Sequence, residues 1–273
     1  MDSCWPCAGV AVMAPERKYG AFKSEPDHRD LGMARLKAPV VLPPSVDLSS
    51  YCGPIRDQGQ MGACTAFAST AMLEFGFNKY KNIKLILSPL FQYYNERVMD
   101  GDFAQGDTGS TGRTAVKCIN QFGVCLESEE PYNDSAVSQV PTTAQITEAA
   151  QYKSGAYHAI SNVQDMKAAL ASGYGFIVGF TVYESFESDE MASSGLMSNP
   201  NTNSEKVLGG HEVFFCGYDD SVQCPGASKG AFKVQNSWGM GWGQEGFFWF
   251  SYDSAADSNV LMDAFCQHFG KPW

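Results

Sequence analysis

Apolar residues recur at helical intervals in the first half of the chain and at strand intervals in the second. From Cys64 to Tyr80, Phe67, Ala71 and Phe75 stand four apart in an Ala-rich run, which predicts a buried helix beginning at Cys64. Ser88-Pro89 supplies an N-cap and a proline at the first helical position, opening a second helix that carries Phe91, Tyr94 and Val98. A third is predicted from about Thr111 through Ala115, Cys118 and Phe122, stopping at Gly123, a glycine suited to a left-handed cap. A fourth spans Val163 to Ala171 and stops at Gly173. Beyond it, aromatic and β-branched runs bounded by glycines predict strands at Phe176–Tyr183, His211–Tyr218, Gly230–Ser237 and Gly246–Tyr252. Helices crowd one half and strands the other, so the expected class is α+β with segregated lobes.

No such period runs through residues 1–45. Prolines and charges punctuate them, and Pro43-Pro44 stops any helix from crossing that point. They are expected to form an irregular N-terminal extension laid over the surface, ahead of a domain at 46–273. Tyr19, Phe22, Met33 and Leu36 are apolar anchors among its charges, so parts of it should dock. Such an extension either restrains a functional cleft or packs behind a lobe and adds stability. Both readings stay open at this level.

Composition narrows the partners. With 44% hydrophobic and 18% charged residues in 273, the chain can bury one large core or two closely packed ones. A formal net charge of −11 with no Lys/Arg cluster repels polyanions, so no nucleic-acid or membrane partner is expected, and a monomer is. The start, Met-Asp-Ser-Cys-Trp-Pro-Cys, lacks the basic head and apolar stretch of a signal peptide, which makes a cytoplasmic location the expectation. The 9 cysteines are too sparse for a disulfide scaffold, and an odd number leaves at least one without an intramolecular partner. Cys4 and Cys7 form a C-x-x-C with no second pair, and there are only 4 His, so no metal site and no cofactor are expected.

Three segments carry candidate chemistry. In Gln58-Gly-Gln-Met-Gly-Ala-Cys64 a glycine-rich loop delivers a cysteine to the first turn of a helix, where free N–H groups and the macrodipole favour a thiolate. In Gly209-Gly210-His211-Glu212-Val213 a histidine opens an apolar strand behind two glycines that permit close approach. In Asn236-Ser237-Trp238-Gly239-Met240-Gly241-Trp242-Gly243 an amide at a strand end can orient an imidazole, and an indole two residues on can shelter that bond. Singly, each fits a structural role: a small buried cysteine, a satisfied histidine, a packed turn. Their order, Gln, Cys, His, Asn, with His and Asn more than a hundred residues after Cys, is far more specific.

From about Pro44 to Tyr252 the chain resembles the papain-like cysteine peptidases through Q-G-x-x-G-x-C, G-H-x-V and N-S-W-G-x-G-W-G, most of all their compact bacterial members. The resemblance implies a two-lobed fold, a helical lobe and an antiparallel β-barrel-like lobe with the cleft between them. It also implies a thiol endopeptidase made as a zymogen and acting on peptide or protein substrates. Cys64 would be the nucleophile, His211 its acid-base partner, and Asn236 the residue holding the imidazole under Trp238. Gln58, with the Cys64 N–H, would form the oxyanion hole. Gly109-Ser110-Thr111 falls at the family's substrate-backbone wall, where paired glycines are usual. Glu212 falls at the pocket for the second residue upstream of the cut, where its carboxylate either attracts Lys or Arg or points away into solvent. Met61, with Asp107 or Thr108, stands where secreted members have a disulfide, which suggests a reducing compartment. The same Cys-His half-reaction also serves a papain-fold acyl transferase, in which an amine resolves the thioester. A catalytically dead binding module would have lost one of these residues.

Overall fold

The computed structural model describes residues 17–32 and 42–269. Helix α1 (Cys64–Lys81), α2 (Pro89–Asp100) and α3 (Gly112–Gln121) pack on one another as the helical lobe, with α4 (Thr143–Ala149) beside them. Ser88 Oγ accepts from the Phe91 N–H and Thr111 Oγ1 from the Thr114 N–H, so α2 and α3 start at capping residues. Helix α1 is buried from Cys64 to Phe77 because the sheet covers its other face. There Phe75 meets Phe214, 5.3 Å between ring centroids, in a core shared with Ile177 and Phe265.

The strands are β1 (Ala21–Phe22), β2 (Leu31–Gly32), β3 (Ser45–Asp47), β4 (Ser110–Thr111), β5 (Tyr157–Ala159), β6 (Phe176–Tyr183), β7 (Val207–Gln223), β8 (Lys229–Gln235), β9 (Phe247–Ser251) and β10 (Leu261–Gln267). Short helices α5 (Val163–Ala171), α6 (Asp189–Ser194) and α7 (Tyr252–Ala256) flank them. The main sheet runs β2-β5-β10-β6-β7-β8-β9, with β3 on β7. It does not close into the expected barrel. No ladder joins β2 to β9, and the outer edge of β9 is taken instead by the turn after α6, through Trp249 N–H to Gly195 O and Met197 N–H to Trp249 O. Strand β10, which the strand signals did not predict, completes the core between β5 and β6.

The described part of the N-terminal extension lies along the surface as expected, but with two short strands rather than wholly irregular. Strand β1 pairs in parallel with β4, Ala21 opposite Ser110, and β2 pairs in parallel with β5. Between them, the Ser24 N–H donates to Asp263 Oδ2 at 2.8 Å and Arg113 pairs with Asp30 at 2.5 Å. Of the expected anchors, Tyr19 docks and Phe22 does not, being 55% exposed. Met33 and Leu36, like Cys4 and Cys7, lie outside the described residues.

Candidate active site

Cys64 is the first residue of α1, and its thiol lies close to the backbone of Glu212 on β7. His211 lies on β7 opposite Phe180 of β6. Asn236 follows the last residue of β8, the next strand over. Its Oδ1 lies 2.8 Å from His211 Nε2 and also accepts the Ser237 N–H at 2.9 Å. That second bond fixes which way the carboxamide faces. His211 Nε2 therefore carries the hydrogen, and Nδ1, buried without a partner, keeps a lone pair for proton transfer. Trp238 lies nearly parallel to the imidazole, 5.0 Å between centroids and 30° between planes, and Phe180 and Phe186 enclose it further.

Gln58 is buried beside this group. The Ser237 hydroxyl donates to its Oε1 at 2.7 Å, which turns Nε2 toward the cleft, where it donates to the Met61 carbonyl at 3.1 Å and the Lys18 carbonyl at 3.4 Å. Ser237 thus orients both Gln58 and Asn236. Its part in N-S-W was visible in the sequence, but pairing across 179 positions was not.

Residues 17–24 fill the space above Cys64. The backbones of Gly20 and Glu212 come close enough to the Cys64 sulfur to favour its thiolate. The Ser110 N–H donates to Gly20 O at 2.8 Å, so the wall at Gly109-Ser110-Thr111 holds an extended backbone. Gly20 and Gly109 (φ +79°) both lack room for a Cβ, which would strike the Gly62 carbonyl in the first case and the Gly20 carbonyl in the second. Arg17 stacks over Trp238 at 5.0 Å and pairs with Asp57 at 3.0 Å. Lys18 pairs with Asp107 at 2.5 Å. Both carboxylate oxygens of Asp107 accept the Gly62 N–H at 3.1 Å, which ties the loop before Cys64.

This cover alters the electrostatics expected at a helix start. Burial pushes the Cys64 thiol up to about 12, against the pull of the two nearby backbones, and burial brings His211 down to about 4, with Arg17 adding to the shift. With the segment docked, thiol and imidazole are both neutral, the reverse of the lowered thiol pKa expected from sequence.

Glu212 does not reach solvent. It is buried with both carboxylate oxygens unpartnered, beside Gly112 and Gly179, and Asp263 Oδ1 faces the same Gly179. Burial first, and Asp263 second, hold its carboxyl well above the usual carboxylate range. Asp263 gave no signal because β10 was not predicted. Among the described residues no three His, Cys, Asp or Glu side chains gather to hold a metal ion. No helix there is long and apolar enough to cross a membrane.

The family model for papain family cysteine proteases matches residues 42–268. An uncharacterized peptidase C1-like protein of Acanthamoeba polyphaga mimivirus is 32% identical over 275 residues, covering 90% of this chain and 85% of its own. Gamete and mating-type specific protein A of Dictyostelium discoideum is 28% identical over 82% of this chain, which spans 45% of that protein. The crystal structure of xylellain, a cysteine protease from Xylella fastidiosa, superposes with a TM-score of 0.81 at 30% identity, covering 93% of this chain and 96% of its own.

Proposed function

Because the chain belongs to the papain family of cysteine proteases, hydrolases acting on peptide bonds, we propose that it cleaves peptide or protein substrates through Cys64 and His211. Cys64 adds to the scissile carbonyl and His211 Nδ1 takes the thiol proton. His211 then returns that proton to the leaving amine, leaving a thioester that water resolves. Asn236 holds the imidazole, and Gln58 Nε2 with the Cys64 N–H stabilises the oxyanion. The observation that carries this reading is the pair of bonds from Asn236 and Ser237. They fix the orientation of His211 and of Gln58, the two side chains that the reading assigns to proton transfer and the oxyanion.

We further propose that residues 1–45 act as a built-in restraint. Support comes from the Gly20 backbone beside the Cys64 sulfur, the Lys18 carbonyl on Gln58, and β1 paired with β4 at Ser110. The proposal also places the protein in a reducing, cytoplasmic setting, as a monomer. The described cysteines are all free, which accords with that setting.

Labelling with an epoxide thiol inhibitor, mass spectrometry and dipeptide-amide hydrolysis test the main reading. One adduct on the Cys64 peptide with parallel loss of hydrolysis is expected. Loss of hydrolysis with the adduct on another cysteine would overturn it.

A further inference from the structure

Tyr19 stands beside the imidazole. Its ring is edge-on to His211 at 6.1 Å and to Trp238 at 6.2 Å. Its hydroxyl donates to Glu187 Oε1, at the end of the turn Glu184–Glu187. Phe186 of the same turn packs on Trp238 at 5.3 Å, so turn and indole form one wall. The result is a recess with aromatic sides and a carboxylate at its rim, filled by a phenol. Gly209 borders it: a Cβ there would meet the Tyr19 ring at 3.1 Å.

The chemistry says which part of a substrate belongs there. The amine that leaves must lie within reach of the group that protonates it, so the residue carrying that amine sits against His211. We infer that this recess receives the side chain that follows the scissile bond, and that Glu187 makes it prefer tyrosine over phenylalanine. The inference rests on the cysteine-peptidase reading. Both rings gain the same aromatic contact, and only the phenol hydroxyl finds an acceptor. Glu187 is exposed, so water competes for it and the preference is modest, about fivefold.

Acyl transfer measures this preference within one enzyme sample. The full-length chain is acylated from a dipeptide aminocoumarin amide, which has no amino acid after the cut. Equal concentrations of tyrosinamide and phenylalaninamide then compete for the thioester. The amine forms an amide as the C–S bond breaks, and its proton returns through His211 to the Cys64 sulfur. The product ratio does not depend on how many molecules have an open cleft. A tyrosine-to-phenylalanine ratio near five is expected, falling to about one in Glu187→Ala and to an intermediate value in Glu187→Gln. Equal products from the native chain, or an unchanged ratio in Glu187→Ala, would overturn the inference and leave the Tyr19 contact as a fastening for the extension. Failure to release aminocoumarin, even from the chain truncated to start at Val40, would remove the peptidase reading and the inference with it.

Discussion

Gln58 donates from Nε2 to the carbonyl oxygen of Lys18 at 3.4 Å. The donor assigned to a developing oxyanion is thus turned toward a carbonyl of the protein's own N-terminal segment. Lys18 lies two residues before Gly20, whose backbone lies beside the Cys64 sulfur. The segment therefore touches both the proposed nucleophile and the proposed oxyanion donor, and a substrate bound at the two would displace both contacts.

Truncation to a chain starting at Val40 or Pro44 should raise kcat/KM and speed epoxide labelling of Cys64, each by at least tenfold. It should also move the labelling profile toward lower pH, because solvent returning to the cleft lowers the thiol from about 12 and raises His211 from about 4. Rates and pH profiles of the two chains check this. Lower melting temperature with no gain in specific activity would mean that the segment only stabilises the fold.

Cys64→Ala should abolish hydrolysis and leave the melting temperature within a few degrees. The sulfur is buried, but its loss removes a single atom and costs about 1 kcal/mol. Calorimetry and the aminocoumarin assay measure the two effects separately. Residual activity with an intact pH profile would assign the nucleophile to another cysteine.

Asn236→Ala should lower kcat about tenfold to a hundredfold with little change in KM, since Asn236 touches the imidazole rather than the cleft-filling segment. Steady-state kinetics on the truncated chain decide it. A normal kcat would mean that Trp238 and Phe180 alone hold the ring.

Glu96 is buried beneath Thr65, whose hydroxyl donates to it at 2.5 Å, and burial raises its carboxyl to about 8. In the unfolded chain it titrates near 4.5, so between those values the folded state holds a proton that the unfolded state has lost. Its contribution to stability is complete below about 4.5 and disappears as pH rises through about 8, a loss of a few kcal/mol. Melting temperature should therefore fall between pH 5 and pH 8, and fall less steeply in Glu96→Gln. Parallel curves would show that Glu96 is ionised in the fold.

Glu212 and Asp263 flank Gly179 from the two neighbouring strands, and Ser24 of the N-terminal segment covers Asp263. Peptide-library profiling of the truncated chain should show Lys or Arg enriched at the second position upstream of the cut, where a cation relieves two crowded carboxyls. Enrichment should drop several-fold in Glu212→Ala. An unchanged hydrophobic preference in both proteins would assign the pair a structural role.

Local signals made the catalytic helix legible. The four-residue spacing of Phe67, Ala71 and Phe75 and the Ser88-Pro89 cap are satisfied within one turn of chain, and α1, α2, α3 and α5 appear where they predict. The same holds for Gln58, Cys64, His211 and Asn236, whose residue types and order need no coordinates. Strand β1, only two residues long, has no period to detect, and β10 carries Asp263 and Gln267 in a run too mixed for a strand signal.

Sequence by itself determined helices α1, α2, α3 and α5, the main strands of the second lobe and the family, and it named the residues proposed to react. Each of these is written in short-range pattern or in the chemistry of single side chains. Tertiary structure alone decided the open sheet, the place of Arg17–Ser24 in the cleft and the neutral state of Cys64 and His211. It also decided the burial of Glu212 against Asp263. These depend on which distant backbones exclude water from a given atom, and desolvation is a property of the assembled surface, absent from any segment read alone.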